Sequence, residues 1–578
     1  MRFSIAGFMC VVSLPFVCLC VAQIPTFQDI APTAGVNNDG LGVGVAFPDV
    51  NNDGLDDIHL INDSQTNEYD HLYLNQGDLT FQDITLSAGV YDPPFSNSVR
   101  VADIDNDGWQ DMIITTSNLV EGSRLYRNNH DNTFSDWFPW CGIPNRYYST
   151  CDWGDINSDG WVDLYMLELF FAGFNAFYLA AGGGTYNLFY LTGGNSCFGC
   201  DAQFCDFDGD GDLDLFQGIC GCNQLFENDY PEFHEIGAIA GVAGHMYDFT
   251  YVTIGDYDND GLFDVFAFNN EEYVNTANFL YHQDDWMQFT NVTGTSGIRP
   301  MDSASCGVWG DLDNDGWLDL LTFDWGNTTR LWHNNGDGTF TDVAREAELL
   351  LVNSSVSSLA LGDINNDGFL DIYVVRYDPE NRLFLNRGNG NHWLQISLQG
   401  TDSNRLGIGT RVKAVAGDLV QWRDIGGGRW GSSSNAPYVH LGLGSHSIVD
   451  SIYVMWSSGR VDILTDVLVD QRITVVEGTT HVGDLDPSNV PVSFELFKAY
   501  PNPFNPLTTL GFSLPVTSRV SLVVYDVTGR RVASLVDGAK PAGTYQITFD
   551  GSGLASGVYF CRLQAGEFTA VQKMVLVK

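Results

Sequence analysis

Asp311-Leu312-Asp313-Asn314-Asp315-Gly316-Trp317-Leu318-Asp319 is the stretch that organises this chain. Its pattern, Asp-x-(Asp/Asn)-x-Asp-Gly-x-x-Asp, occurs seven times, at Asp49–Asp57, Asp103–Asp111, Asp155–Asp163, Asp206–Asp214, Asp256–Asp264, Asp311–Asp319 and Asp363–Asp371. Successive copies begin 54, 52, 51, 50, 55 and 52 residues apart. A repeat of about 50 residues has the length of one four-stranded propeller blade and is far too long for the short-period calcium solenoids.

Working outward, each motif lies between strand-like segments. Val99-Arg100-Val101-Ala102 precedes one copy, and Leu320-Leu321-Thr322-Phe323 and Ile372-Tyr373-Val374-Val375 follow others. A third strand is expected at Leu72–Asn75, Leu125–Asn128, Phe177–Leu179, Leu225–Asn228, Leu331–Asn334 and Leu383–Asn386, followed by turns such as Asn335-Gly336-Asp337-Gly338 that supply the positive φ of a hairpin. A fourth opens on Phe81, Phe134, Tyr186, Phe233, Phe289 or Phe340. One further copy of it, Phe27-Gln28-Asp29-Ile30, precedes the first motif, and none follows the seventh. The amino-terminal segment is therefore expected to supply the outer strand of the last blade and remove an exposed sheet edge.

Oxygen ligands at alternate positions of a tight loop point inward, and Gly at the sixth position lets the backbone turn so that the seventh carbonyl joins them. The expected Ca2+ ligands are Asp49, Asn51, Asp53 and Asp57; Asp103, Asp105, Asp107 and Asp111; Asp155, Asn157, Asp159 and Asp163; and Asp206, Asp208, Asp210 and Asp214. In the last three loops they are Asp256, Asp258, Asp260 and Asp264; Asp311, Asp313, Asp315 and Asp319; and Asp363, Asn365, Asp367 and Asp371. The twelfth position, Glu in an EF-hand, holds Leu60, Ile114, Met166, Gln217, Ala267, Thr322 and Val374, which excludes helical EF-hands. The competing reading, plain Asp-Gly turns, leaves seven intact ninth-position Asp unexplained. Up to seven Ca2+ are expected.

The 578 residues carry 26 Lys+Arg against 73 Asp+Glu, a formal charge of −47. A polyanion would be repelled, so nucleic-acid binding is excluded, and seven Ca2+ would bring the charge to about −33. With 44% hydrophobic and 13% aromatic residues the chain is too apolar for a disordered acidic one, and its length implies several domains. Residues 1–22 read as a signal peptide, with an apolar run from Ile5 to Val21 and a mature start near Gln23; a lipoprotein signal fits less well because Val17 and Leu19 precede Cys18 and Cys20. No later stretch is long enough to span a bilayer as a helix. Of the nine later cysteines, Cys141 with Cys151, and the cluster Cys197, Cys200, Cys205, Cys220 and Cys222, are candidate disulfide partners in an oxidising compartment. A zinc site from Cys197, Cys200, Cys220 and Cys222 is the alternative; no His lies among them.

The motif and its period resemble the FG-GAP/VCBS repeats of integrin α-chain propellers and of secreted bacterial proteins. The resemblance covers residues 23–390 and implies a seven-bladed β-propeller with calcium between the first two strands of each blade. Asn391-His392-Trp393-Leu394-Gln395-Ile396, Ser403-Asn404-Arg405-Leu406-Gly407-Ile408-Gly409, His440-Leu441-Gly442-Leu443-Gly444 and Val454-Met455-Trp456-Ser457-Ser458-Gly459 are similar to the ASPIC/UnbV domain, placed at 391–477. The cartilage acidic protein family pairs the same two units. That domain implies no known chemistry, and Arg405 and its glycines read as structural. After a linker at 478–491, Tyr500-Pro501-Asn502-Pro503-Phe504-Asn505-Pro506, Val524–Arg530, Leu554–Tyr559 and Lys573–Lys578 are similar to the sorting domain of type IX secretion, placed at 492–578. This implies an Ig-like β-sandwich that engages the type IX machinery and a location outside, or on the surface of, a Gram-negative cell. The fold expected is all-β: a seven-bladed propeller, a small β domain and a C-terminal Ig-like sandwich.

No G-x-S-x-G elbow, H-E-x-x-H helix or P-loop is present, though a pair of glycosidase carboxylates would leave no motif. No catalytic residue is assigned, and the enzyme question stays open at this stage. The sequence points first to non-enzymatic recognition or adhesion on a propeller face, with an extracellular glycan or protein as ligand. Trp137, Trp140, Trp153 and Trp161 are candidate stacking surfaces, against the commoner role of blade aromatics in packing. The alternatives are a polysaccharide-degrading lyase or glycosidase on the same scaffold, and a structural surface-layer component.

Overall fold

The computed structural model describes residues 24–578 apart from 39, 63–68, 92–94, 117–121, 169–174, 193–198, 220–222, 244–249, 270–277, 300–303, 325–327, 352–355, 378–379, 427–431, 480–494, 500–501, 503, 515–517, 541–542 and 566–567. The signal peptide, Cys197, Cys220 and Cys222, most of the linker and most of the apolar stretch Leu167–Phe174 lie outside the described residues, as does the Cys200 side chain.

Every acidic motif forms the turn between the first two strands of a four-stranded antiparallel sheet. Sheet six is representative: Ala304–Gly310, Asp319–Asp324, Thr329–Asn334 and Phe340–Asp342 pair in sequence order, with Gly310 opposite Asp319 where the loop closes. Among the described residues, seven such sheets, numbered by their loop, are built from residues 27–386. The first strand of each contacts the first strand of the next, and that of sheet seven returns to that of sheet one. Repeated sheets in this order are consistent with a propeller. Their first and second strands are buried on both faces, as in Val356–Gly362 and Asp371–Arg376, because neighbouring sheets cover each side.

Sheet seven is completed from the chain's start. Phe27–Asp29 pairs antiparallel with Arg382–Asn386, Phe27 opposite Asn386, and Arg382 reaches Asp29 at 3.0 Å. Phe27, 1% exposed, plugs into the core between sheets six and seven.

Residues 391–479 form two sheets. Val439–Gly444, His392–Gln399 and Gln471–Val476 make one, the last two strands parallel; Leu419–Asp424, Arg411–Ala416, Ile448–Met455 and Val461–Leu468 make the other. Their apolar faces join those of sheets two and three in one continuous cluster that includes Ile104, Trp153, Ile396 and Val412. The last unit also has two sheets, one centred on Leu507–Leu514 and one of Arg531–Lys540, Ser518–Asp526, Gly557–Ala565 and Phe568–Leu576, around a core of Leu510, Phe512, Leu522, Cys561 and Leu563.

One expectation is corrected. Cys141 and Cys151 do not pair: both are free, buried thiols, and Cys141 Sγ donates to the Phe138 carbonyl at 3.1 Å instead. Of the four tryptophans, Trp153 takes the packing role weighed against stacking, fully buried in the cluster above; Trp137 packs against the same cluster, Trp161 is half-buried and Trp140 alone of the four is exposed, at 70%.

Candidate metal centres

Within each loop the chain wraps its own carboxylates. In loop six, Asp311 Oδ1 accepts the Asp315 N–H at 3.1 Å and Oδ2 the Gly316 N–H at 2.8 Å, while Asp315 Oδ1 accepts the Trp317 N–H at 2.9 Å. Asp319 ties the loop to the sheet by accepting the N–H groups of Leu312 and Asn334. The fourth position takes a left-handed backbone, at φ 56, 57, 54, 59, 59 and 55° for Asn52, Asn106, Ser158, Asn259, Asn314 and Asn366. Asn tolerates that region better than most side chains, which explains its choice at five of the six.

These Asn also link the loops. Asn52, Asn106, Asn259, Asn314 and Asn366 each donate through Nδ2 to the carbonyl of Gly108, Gly160, Gly316, Gly368 and Gly54, the sixth residue of the following loop, at 2.8–3.0 Å. A second stitch was overlooked in the sequence: the Asn ending the third strand. Asn334 Nδ2 bridges to the carbonyl of Tyr257 in the preceding loop at 2.8 Å, and Asn75, Asn128, Asn228, Gln283 and Asn386 do the same in their sheets. Its signal was present in the recurring Leu-x-x-Asn ends of the third strands.

The carboxylates are held close without enough protein donors. Burial raises Asp103 to about 7 and Asp163 to about 8, with neighbouring carboxylates pushing the same way; Asp313 moves further in that direction. The buried oxygens Asp206 Oδ1, Asp258 Oδ1 and Asp313 Oδ2 have no hydrogen-bond partner. Orphaned anionic oxygens facing a loop of further oxygens fit a divalent cation, and the side-chain sets Asp103/Asp105/Asp107, Asp206/Asp208/Asp210 and Asp256/Asp258/Asp260 each bring ligand atoms within 4.8 Å of one another.

The loops are not equivalent. The residue before the third-strand Asn or its counterpart is Leu74, Arg127, Leu179, Glu227, His282, His333 and Leu385 in sheets one to seven. Arg127 ion-pairs with Asp105 in loop two, Glu227 adds negative charge beside Asp208 in loop four, and His282 and His333 face loops five and six.

Residues 391–479 cover the end of the sheet ring that carries the loops. Arg405 N–H donates to Asn106 Oδ1, Ser457 Oγ to Asp155 Oδ2, Gln395 Nε2 to Asp363 Oδ2, and Arg423 to the Gly316 carbonyl, at 2.9–3.2 Å. Arg411 meets Asp206, and Tyr438 and Arg472 meet Asp56. Fit is close at Gly160, where a Cβ would stand 2.3 Å from the Asp402 carbonyl oxygen. Ser432–Ala436 enters the ring of first strands: Val99 and Phe47 donate N–H to Ser432 and Ser434, and Ala436 donates to Leu361. Recognition was expected on a propeller face; residues 391–479 occupy much of the loop-bearing end, which leaves the opposite end more open.

Residues 49–114, 108–166, 256–322 and 311–374 match the FG-GAP-like repeat, 400–482 match ASPIC and UnbV, and 498–578 match the secretion system C-terminal sorting domain. Cartilage acidic protein 1 of Mus musculus is 23% identical over 402 residues, 66% of this chain and 56% of that protein, so the match spans just over half of the relative. Among solved structures, the BP39L lectin from Burkholderia pseudomallei aligns at 9% identity over 61% of this chain and 98% of its own, TM-score 0.43. BBS1N, solved in complex with ARL6DN, aligns at 10% over 62% and 96%, TM-score 0.40. The sorting domain marks a secreted or cell-surface protein of a Gram-negative bacterium that engages the type IX secretion machinery. Among the described residues no helix is long and apolar enough to cross a membrane.

Proposed function

We propose that this chain, which carries FG-GAP-like repeats, an ASPIC/UnbV domain and a type IX sorting domain, is a calcium-binding recognition protein of the cell exterior. The seven sheets are read as the blades of a seven-bladed propeller and the last unit as an Ig-like sandwich. Ca2+ is assigned to the seven loop quartets, where it would neutralise crowded carboxylates and hold the loop end rigid; the protein's own part is to supply oxygens at fixed spacing.

One observation carries the recognition reading: the covering domain packs over the loop end and bonds to its loops, which leaves the opposite end as the more accessible face. Tyr69 precedes a third strand and Tyr91 and Phe95 precede a first strand, so all three lie at that opposite end, 42%, 45% and 41% exposed. The Tyr69 and Tyr91 rings stand 4.1 Å apart between centroids. Exposed, paired aromatic rings suit stacking on an extracellular glycan or packing against a protein ligand. No catalysis is assigned.

The test runs the chain from Gln23 with a polysaccharide panel through size-exclusion chromatography with light scattering, in calcium and in chelator. Calcium-dependent co-elution with intact polymer, lost in Tyr69→Ala/Tyr91→Ala, supports the reading. A shrinking polymer mass makes the protein an enzyme, and calcium-driven self-assembly without ligand makes it a structural layer component; either overturns it.

A further inference from the structure

Loop six differs from an all-oxygen calcium loop in one donor. His333 Nδ1 stands 3.1 Å from Asp319 Oδ1 and 3.7 Å from Asp313 Oδ2, and all three side chains are buried, at 6%, 0% and 1% exposure. Asp313 Oδ2 is the buried oxygen without a hydrogen-bond partner, and it faces this nitrogen. The three residues form a set whose ligand atoms lie within 4.8 Å of one another. Ligands bound at about 2.0–2.2 Å to a first-row ion stand about 3.0–3.6 Å apart; the 3.1 Å separation falls within that span and the 3.7 Å separation just beyond it, so a small inward shift of Asp313 completes the set. Calcium takes oxygen ligands, whereas imidazole nitrogen suits zinc and its transition-metal neighbours.

The geometry points to a mixed nitrogen/carboxylate site in loop six, formed by Asp313, Asp319 and His333, that selects a first-row divalent transition ion over calcium. Loop five repeats the arrangement in a more open form, with His282 Nδ1 at 3.1 Å from Asp264 and 3.5 Å from Asp258, the histidine 21% exposed. Sheets one, three and seven place Leu74, Leu179 and Leu385 at this position, so the imidazole is no requirement of the blade. The inference rests on the reading of the loops as cation sites and changes which cation one of them takes. The rival explanation is that His333 donates to Asp319 and only orients it.

The mature chain is stripped with chelator and dialysed against excess calcium with limiting Co2+, and the bound metals are counted after gel filtration alongside the visible Co2+ bands. The wild type is expected to retain Co2+ against calcium. His333→Leu, which places there the side chain of sheets one, three and seven, should lose about one equivalent and its bands while its calcium count stays or rises by one. His333→Gln keeps a hydrogen-bond donor without the ligating nitrogen and should lose Co2+ in the same way. Co2+ retained by both variants, or restored by Gln alone, overturns the proposal, as does a wild type that binds calcium but no Co2+. Co2+ retained with no calcium bound anywhere would instead overturn the calcium reading and leave this site standing.

Discussion

Arg411 of the covering domain binds Asp206, the first carboxylate of loop four, through Nη1 at 3.2 Å, and donates Nη2 to the Gly261 carbonyl of loop five at 2.8 Å. Five loops reach their neighbour's Gly carbonyl through the fourth-position Asn, but loop four has Gly209 there, packed under Trp286. The guanidinium from a different domain serves the acceptor that the missing Asn leaves. It also lies over the rings of Phe263 and Trp422, at 5.0 and 5.3 Å, and the ion pair is nearly out of solvent at 11% and 4% exposure.

Removing one partner of a buried pair strands the other charge. Arg411→Met is therefore expected to destabilise by about 3–5 kcal/mol, and Arg411→Met/Asp206→Asn by less than the sum of the two single changes. Urea unfolding followed by tryptophan fluorescence reads both. Strict additivity would mean that the two residues do not depend on each other.

Closing the sheet ring with the chain's first strand makes the amino terminus a structural element. Phe27→Ala should cost about 3–5 kcal/mol, the usual consequence of emptying a buried phenylalanine site. Deleting Thr26–Ile30 should lower the melting temperature further, because the Arg382–Asn386 strand then loses its partner and becomes an edge. A deletion that melts with the intact chain would show that the seam contributes nothing.

The repeat was legible because each four-stranded sheet is local: first strand, acidic loop and second strand follow one another, so their periodicity survives in the linear sequence. The ring closure was legible for a related reason, since one fourth strand was missing at one end and one was spare at the other. The docking of residues 391–479 was not, because Arg411 and Asp206 are 205 positions apart and no spacing announces the contact. Gly209 reads as another turn residue until Arg411 is seen beside it. Which of the four tryptophans packs was not legible, because every residue of Tyr148–Gly154 except Ser149 is buried and the strand lacks the alternation that separates a packed face from an exposed one.

If each loop binds calcium with Kd on the order of 10⁻⁴ M in roughly 2 mM calcium, each adds about 1.8 kcal/mol of stability. Chelation should lower the melting temperature, and it should also loosen the covering domain, whose residues bond directly to Asp155 and Asp363. Limited proteolysis in chelator is expected to cut first within residues 391–479, and Asp363→Asn should sensitise that region even with calcium present. Identical melts and identical digests with and without chelator would remove calcium from the account of stability.

Acid should release the covering domain through one residue. Glu477 accepts the N–H groups of Thr401, Asp402 and Ser403 at Oε2, each at 2.8 Å, and a hydroxyl from Ser403 at Oε1 at 3.0 Å. Burial alone would raise its pKa, but the hydrogen bonds from Ser458, Ser403, Thr401 and Asp402 outweigh burial and bring it from 4.5 down to about 2. A depressed carboxyl contributes its stability above the unfolded value and loses it as pH falls through the folded one, so the window runs from 4.5 down to about 2. The turn it holds is the one that presses Asp402 onto Gly160 and Arg405 onto Asn106, so protonation weakens the docking and not just the turn. Glu477→Gln should be less stable than the wild type at pH 7 and lose less on acidification across that window, measured by urea midpoints at successive pH values. If the two proteins fall in parallel between those pH values, the acid sensitivity belongs to other carboxylates and Glu477 is not the residue that fastens the turn.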